Sequence, residues 1–271
     1  ENHYPVVKNF EVLENSAIPK PRQIFSSSGN SSVQLRRLGE LMWIYVETLP
    51  STSWPISKSY WETSDYEIIT TNPVTGEIDI NLDSSSKLKM TIEHGIKEAS
   101  TEIFLLQLDK ETNNIVSNPE LIQSELSSLV NYFAETVGQF SGTSLAAQNL
   151  NDLKKAKIFV ENGRTVIELG LSYERAWSSV SKAIEAANIV TNDKNRSEGI
   201  FYVSQAVEEK DGFFSFFSRR SNNNDKTNFK DSDFQVKITK KNNKTYVRAY
   251  SKDGKIEDAE SIISQINESL S

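Results

Sequence analysis

Two stretches of the chain are rich in apolar residues, and a helical pattern follows each of them. The stretches are "LMWIYVETL" from residue 41 and "TVIELGL" from residue 165, and their β-branched and aromatic content favours strands. After the second stretch, apolar residues recur at spacings of three and four, which predicts one buried face of a helix. They are Tyr173, Trp177, Val180 and Ile184. Ser172 is the expected N-cap of this helix.

The helix after the first stretch is expected to begin near Ser53. A serine is a favoured N-cap residue, and Pro55 would then lie in the first turn, where its missing N–H costs nothing. The two strand–helix patterns therefore predict two copies of one arrangement.

The chain is duplicated at an offset of 123 residues. Trp177 corresponds to Trp54, and Gly199 corresponds to Gly76, each glycine standing 22 positions after its tryptophan. Both glycines precede an apolar run, so we interpret them as turn residues of hairpins and not as a phosphate-binding loop, which would need further glycines and a lysine. The sequence therefore predicts two structurally equivalent domains.

Each copy continues with strand patterns and closes with a helical stripe. The further strands are "KLKMTIEHGI", "TEIFLLQLDK", "FQVKITKK" and "KTYVRAYSK". Asn118 and Pro119 are placed to cap and start the first closing helix, and the second carries apolar residues from Ile256 to Leu270. This order predicts an α+β fold: two tandem helix-grip domains, each an antiparallel sheet with helices on one face. An extended N-terminal arm precedes them.

The predicted organisation has four parts. They are an arm at 1–37, a first domain at 38–140, a linker at 141–156 and a second domain at 157–271. The second domain contains a Phe-rich loop at 207–231, where the first domain has only "DSSSK".

The amino-acid composition argues against several classes of function. A formal net charge of −7 argues against binding nucleic acid, which requires clustered lysine and arginine. The absence of cysteine excludes disulfides and thiolate chemistry. His3 and His94 have no neighbours at metal-ligand spacing, and we expect His94 to be a solvent-facing strand residue. We therefore predict no enzyme activity, no catalytic residue, no metal and no cofactor.

The N-terminal segment combines scattered apolar residues with a Pro-x-Pro pattern and no sustained period. Such a segment is expected to be extended by itself and to become ordered on a partner. The expected partner-binding residues are Phe10, Val12, Leu13, Ile18, Pro19, Pro21, Arg22 and Ile24.

The Phe-rich loop has two open interpretations. Its aromatic and basic residues are Phe213, Phe214, Phe216, Phe217, Arg219 and Arg220. Either some of these phenylalanines cover an open edge of their own domain, or the loop is an apolar, basic tip that contacts a protein or the lipid interface.

Three stretches of the sequence resemble the BamC family, lipoprotein subunits of the outer-membrane β-barrel assembly (BAM) complex. They are "NDKNRSEGIFYV", "DGFFSFFSRR" and "TSWPISKSYWETSDYEIITT". The resemblance covers nearly the whole chain and is strongest from Ala176 to Val203 and from Asp211 onward.

The resemblance implies a non-enzymatic accessory or scaffold protein, tethered to the outer membrane by an N-terminal lipid that this chain does not contain. It further implies a periplasmic location, with surface exposure of the globular domains left open, and an arm that docks on the tetratricopeptide-repeat lipoprotein BamD. The alternative hypothesis is a periplasmic carrier that binds a lipid or another apolar ligand between sheet and helices.

Overall fold

A computed structural model describes residues 22–26, 32–205, 229 and 231–270. These residues divide into two compact units, the first ending at Lys154 and the second beginning at Lys155. Each unit is an antiparallel sheet with helices, so the predicted α+β fold with two tandem domains is confirmed.

The first unit is an eight-stranded sheet with two α-helices and a 3₁₀ helix. Its strands are β1 Arg22–Ser26, β2 Val33–Leu38, β3 Leu41–Val46, β4 Glu67–Asn72, β5 Glu77–Asn81, β6 Ser86–His94, β7 Thr101–Asp109 and β8 Ile115–Val116. The helices are α1 Pro50–Thr63, α2 Pro119–Thr136 and the 3₁₀ helix Leu145–Asp152.

The second unit repeats this arrangement with six strands. They are β9 Ala156–Glu161, β10 Arg164–Leu169, β11 Ile189–Asn195, β12 Ile200–Gln205, β13 Phe234–Lys241 and β14 Lys244–Ser251. Its helices are α3 Tyr173–Ala186 and α4 Ile256–Ser269.

The two sheets have the same strand order. It is β2-β3-β7-β6-β5-β4 in the first unit and β9-β10-β14-β13-β12-β11 in the second. The bounds of β2, β3 and α1 map onto those of β9, β10 and α3 at the offset of 123 residues. The first sheet carries an additional strand, β1, beyond β2, whereas β9 is an edge strand of the second sheet.

Alternation along the strands places one row of side chains under the helices. In β6, buried residues from Ser86 to His94 alternate with half-exposed ones, as expected for a strand with one face on the core. The apolar stripe of α2 packs on this face, so the first core lies between sheet and helices. Its helical members are Ile122, Leu126, Leu129, Val130 and Phe133.

The predicted caps are present at two of the helices. The Asn118 side chain accepts a hydrogen bond from the Leu121 N–H at 3.2 Å, with Pro119 following in the first turn. The Ser172 hydroxyl accepts one from the Arg175 N–H at 3.4 Å.

The prediction that Ser53 caps α1 is wrong. The helix begins at Pro50, because Pro50 itself occupies the first turn, and Ser53 is buried inside it, donating to Thr101 Oγ1 at 2.9 Å. Pro55 thus lies within the helix and cannot donate to the Ser51 carbonyl. The Ser144 N–H donates to that carbonyl instead, at 2.8 Å.

Ser144 leads into the 3₁₀ helix, which lies within the segment predicted as a linker. The Asn151 side chain accepts from the Ser51 N–H at 3.0 Å and donates to the Ser51 hydroxyl at 2.9 Å. Ala147 and Leu150 are buried in the first core. This part of the segment is therefore packed on the first unit.

Candidate interaction surfaces

The predicted partner-binding residues fall mostly outside the residues that the structure describes. These are Phe10, Val12, Leu13, Ile18, Pro19 and Pro21. Arg22 and Ile24 lie in β1, which pairs antiparallel with β2 from Arg22 opposite Arg37 to Ser26 opposite Gln34. Strand β1 and all of β2 except Leu38 come from the stretch assigned to the arm, so the last part of that stretch is integral to the first sheet.

On strands β2, β3 and β7, the face of the first sheet opposite the helices carries aromatic and charged side chains that are buried. The Arg36 guanidinium lies 3.7 Å from the centroid of the Tyr45 ring, a cation–π contact. The Trp43 and Phe104 rings stack with centroids 6.3 Å apart. Burial raises the pKa of Tyr45 to about 12, and the charge of Arg36 opposes this shift in part. The first sheet thus has a second buried layer.

Sequence reasoning missed this layer. The signal for it is the uninterrupted apolar run from Leu41 to Val46, since a strand buried on both faces does not alternate. Glu102 on the neighbouring strand is also 1% exposed, and nothing in its local sequence distinguishes it from a solvated carboxylate.

The named residues of the Phe-rich loop, Phe213 to Arg220, lie outside the residues that the structure describes. The C-terminal base of this loop is fixed to the second sheet. The Asp233 N–H donates to the Val203 carbonyl at 3.2 Å, and the Lys252 N–H donates to the Asp233 carbonyl at 2.8 Å. The loop therefore departs from a defined place, between the end of β12 and the start of β13.

The expectation that His94 faces solvent is wrong. His94 is 1% exposed because it continues the inward-facing row of β6, and its Nδ1 lies 2.8 Å from the Gly95 carbonyl oxygen.

Among the residues that the structure describes, no three histidines or carboxylates are placed to hold a metal ion. In the same ranges no helix is long and apolar enough to cross a membrane.

Together these features define a duplicated helix-grip protein with a segment preceding its first edge strand and a long insertion in its second sheet. Residues 156–271 match the family of outer membrane protein assembly factor BamC-like C-terminal domains, and this match spans the second unit. The resemblance to the BamC family stated from the sequence is confirmed.

A curated relative is the outer membrane protein assembly factor BamC of Thiobacillus denitrificans (strain ATCC 25259 / T1). It is 23% identical over 208 residues, which cover 63% of this chain and 55% of that protein. The chain thus spans about half the length of the curated relative that it matches.

Proposed function

We propose that this chain is a non-enzymatic accessory subunit of an outer-membrane β-barrel assembly complex. The observation that carries the proposal is the match of the second unit, over residues 156–271, to BamC-like C-terminal domains. The relative from Thiobacillus denitrificans, named as an assembly factor, supports it with similarity over 63% of the chain. In this proposal the protein is a lipoprotein on the periplasmic face of the outer membrane.

The arm is the proposed docking element, and BamD is its proposed partner. Its contact residues would be Phe10, Val12, Leu13, Ile18, Pro19 and Pro21, with Arg22 and Ile24 at its end. The pairing of β1 with β2 supports this arrangement, since it anchors the end of the arm on the first sheet. The Phe-rich loop is the proposed second contact, with protein or lipid.

The carrier hypothesis requires space between sheet and helices for an apolar ligand. Large side chains occupy this region in both units. Trp61 is fully buried and its indole N–H donates to Met90 Sδ at 3.3 Å, while Trp177 stacks on Phe201 with ring centroids 4.0 Å apart. This packing favours the assembly subunit over the carrier.

The structure sharpens the experiment that tests the docking proposal. Removal of all 37 residues assigned to the arm would delete β1 and most of β2 and would disturb the first sheet. The informative deletion is therefore residues 1–21. A second variant keeps the length of the arm and replaces Phe10, Val12, Leu13 and Ile18 with serine.

Each tagged protein is used as bait on detergent-solubilised membranes of the source cells, and retained proteins are identified by mass spectrometry. The full chain is expected to retain the subunits of the barrel-assembly complex, and both altered baits are expected to lose them. Equal retention by all three baits would place docking outside the arm. If the full chain does not retain the complex, the proposal that it is a subunit of that complex is wrong.

A further inference from the structure

The edge strand β9 of the second sheet exposes three consecutive apolar side chains. Ile158, Phe159 and Val160 are 54%, 37% and 70% exposed, and Lys157 and Glu161 flank them. An edge strand offers unpaired N–H and C=O groups, and natural proteins normally protect such edges with charges, bulges or a covering segment. The centre of β9 has no such charge.

The duplicated first unit shows how this position is covered elsewhere in the same chain. Leu35 of β2 is the counterpart of Ile158 and is fully buried in the first core, and β1 pairs with β2 on its outer side. In the second unit β9 ends the sheet. By analogy with β1, an added extended strand would cover the exposed edge.

The sequence of β9 is complementary to itself. When two copies of "KIFVE" run antiparallel with Phe159 opposite Phe159, Lys157 of each copy faces Glu161 of the other. Ile158 then faces Val160 on the opposite side of the sheet. Opposite charges and apolar pairs directly across two strands are stabilising. A parallel, in-register pairing would instead place like charges side by side.

We propose that two copies of this chain associate through β9, paired antiparallel about Phe159 on a two-fold axis. The two six-stranded sheets then become one continuous sheet. Glu161 can take part because its Oε2 accepts from Arg248 Nη2 at 2.6 Å while its side chain stays 49% exposed, leaving the other carboxylate oxygen for Lys157 of the second copy. This association does not depend on the proposed function.

The partner strand also extends an existing aromatic contact. The Phe159 ring lies 6.5 Å from the ring of Tyr246 in an edge-on arrangement. Pairing about Phe159 would place the second Phe159 on the other side of the first. A contact of a few residues in each copy is small, so we expect a weak, concentration-dependent dimer.

The absence of cysteine allows a direct test of the register in the full chain. Directly opposite residues of antiparallel strands have Cα atoms about 4.5–5.5 Å apart, within the range that a disulfide bridges. Phe159→Cys is therefore expected to form a disulfide-linked dimer under mild oxidation. The control is Val190→Cys on β11, the other edge strand of the sheet, where Val190 is 48% exposed.

We expect Phe159→Cys to cross-link at least about tenfold faster than Val190→Cys, since only the first would have its own copy opposite it. Equal rates would overturn the proposal. Sedimentation equilibrium of the unmodified chain gives an independent readout, in which the mass should rise with concentration from 30.6 kDa toward twice that value. A mass that stays at 30.6 kDa throughout would likewise overturn it.

Two further variants test whether the two copies associate through β9 and not through another surface. Val160→Lys should abolish the mass increase without unfolding the domain, because Val160 is 70% exposed. Lys157→Glu should weaken association, because it places two carboxylates opposite each other across the two strands. A dimer that persists in Val160→Lys would show that the copies pair elsewhere.

Discussion

Gly76 and Gly199 occupy the same place in the two units, 123 residues apart. Each has a positive φ, of 74° and 71°. The carbonyl oxygen of Gly76 accepts from the Ile92 N–H at 2.8 Å, and that of Gly199 accepts from the Ile238 N–H at 2.7 Å. A Cβ at either glycine would lie 2.2 Å from the carbonyl oxygen of the same isoleucine. The repeated glycine is therefore required by conformation and by the close approach of the next strand.

We predict that Gly76→Ala and Gly199→Ala each lower the free energy of unfolding by about 2 kcal/mol or more, because backbone must move in addition to the strain of a positive φ. Gly254→Ala is the control. Its φ is 76° but no atom lies within 4 Å of the added Cβ, so we expect a loss of about 1 kcal/mol. Urea unfolding measures all three. Equal losses would contradict the role of the close approach.

Trp177 is one of the largest fully buried side chains of the protein. It is 1% exposed and stacks on Phe201 with an interplanar angle of 22°. We predict that Trp177→Ala lowers the free energy of unfolding by about 3–5 kcal/mol, through lost burial and the cavity that remains. Val190→Ala, at a half-exposed edge position, should change it little. Chemical unfolding followed by circular dichroism compares the two, and similar effects would count against this description of the core.

Asn151 attaches the 3₁₀ helix to the start of α1. We predict that Asn151→Ala lowers the free energy of unfolding of the first unit by about 1–2 kcal/mol, because the buried Ser51 N–H loses its acceptor. Gln148→Ala, an exposed position on the same helix, is the control. Hydrogen exchange should show faster exchange over residues 145–152 only in the Asn151 variant. Unchanged protection there would mean that the hydrogen bonds to Ser51 do not hold this helix.

Asp83 ties the turn between β5 and β6. The hydrogen bond from the Ser86 hydroxyl, at 2.6 Å, is the largest cause that holds the pKa of this carboxyl below its usual value, and the groups of Ser85 add to it. A carboxyl whose pKa is lower in the folded state stabilises the fold above its unfolded pKa of about 3.9 and loses this contribution as the pH falls through the folded value.

Asp83→Asn should therefore lower the melting temperature near neutral pH, and the difference from the unmodified chain should shrink in strong acid. Thermal melts across the acidic range measure this. Asp65→Asn, at an exposed position, is the matched control. A difference that stayed constant with pH would show that the Asp83 charge does not contribute.

Much of the fold could be predicted from local pattern. The offset of 123 residues, the caps at Asn118 and Ser172 and the stripe of α2 depend on residues that are neighbours along the chain. Apolar period and capping chemistry act over one or two turns, so a sequence is sufficient to detect them. The start of α1 was missed because two prolines, Pro50 and Pro55, both satisfied the local rule.

The duplication, the α+β class and the resemblance to the BamC family could therefore be recognised from local sequence patterns. Which segments are covered became evident only from the fold. It placed β1 and β2 in the first sheet, packed Leu150 into the core, buried His94 and left Ile158 exposed at the edge of β9. The physical reason is that burial and strand pairing depend on residues far apart in the chain, and a strand's own sequence does not say whether another strand lies beside it.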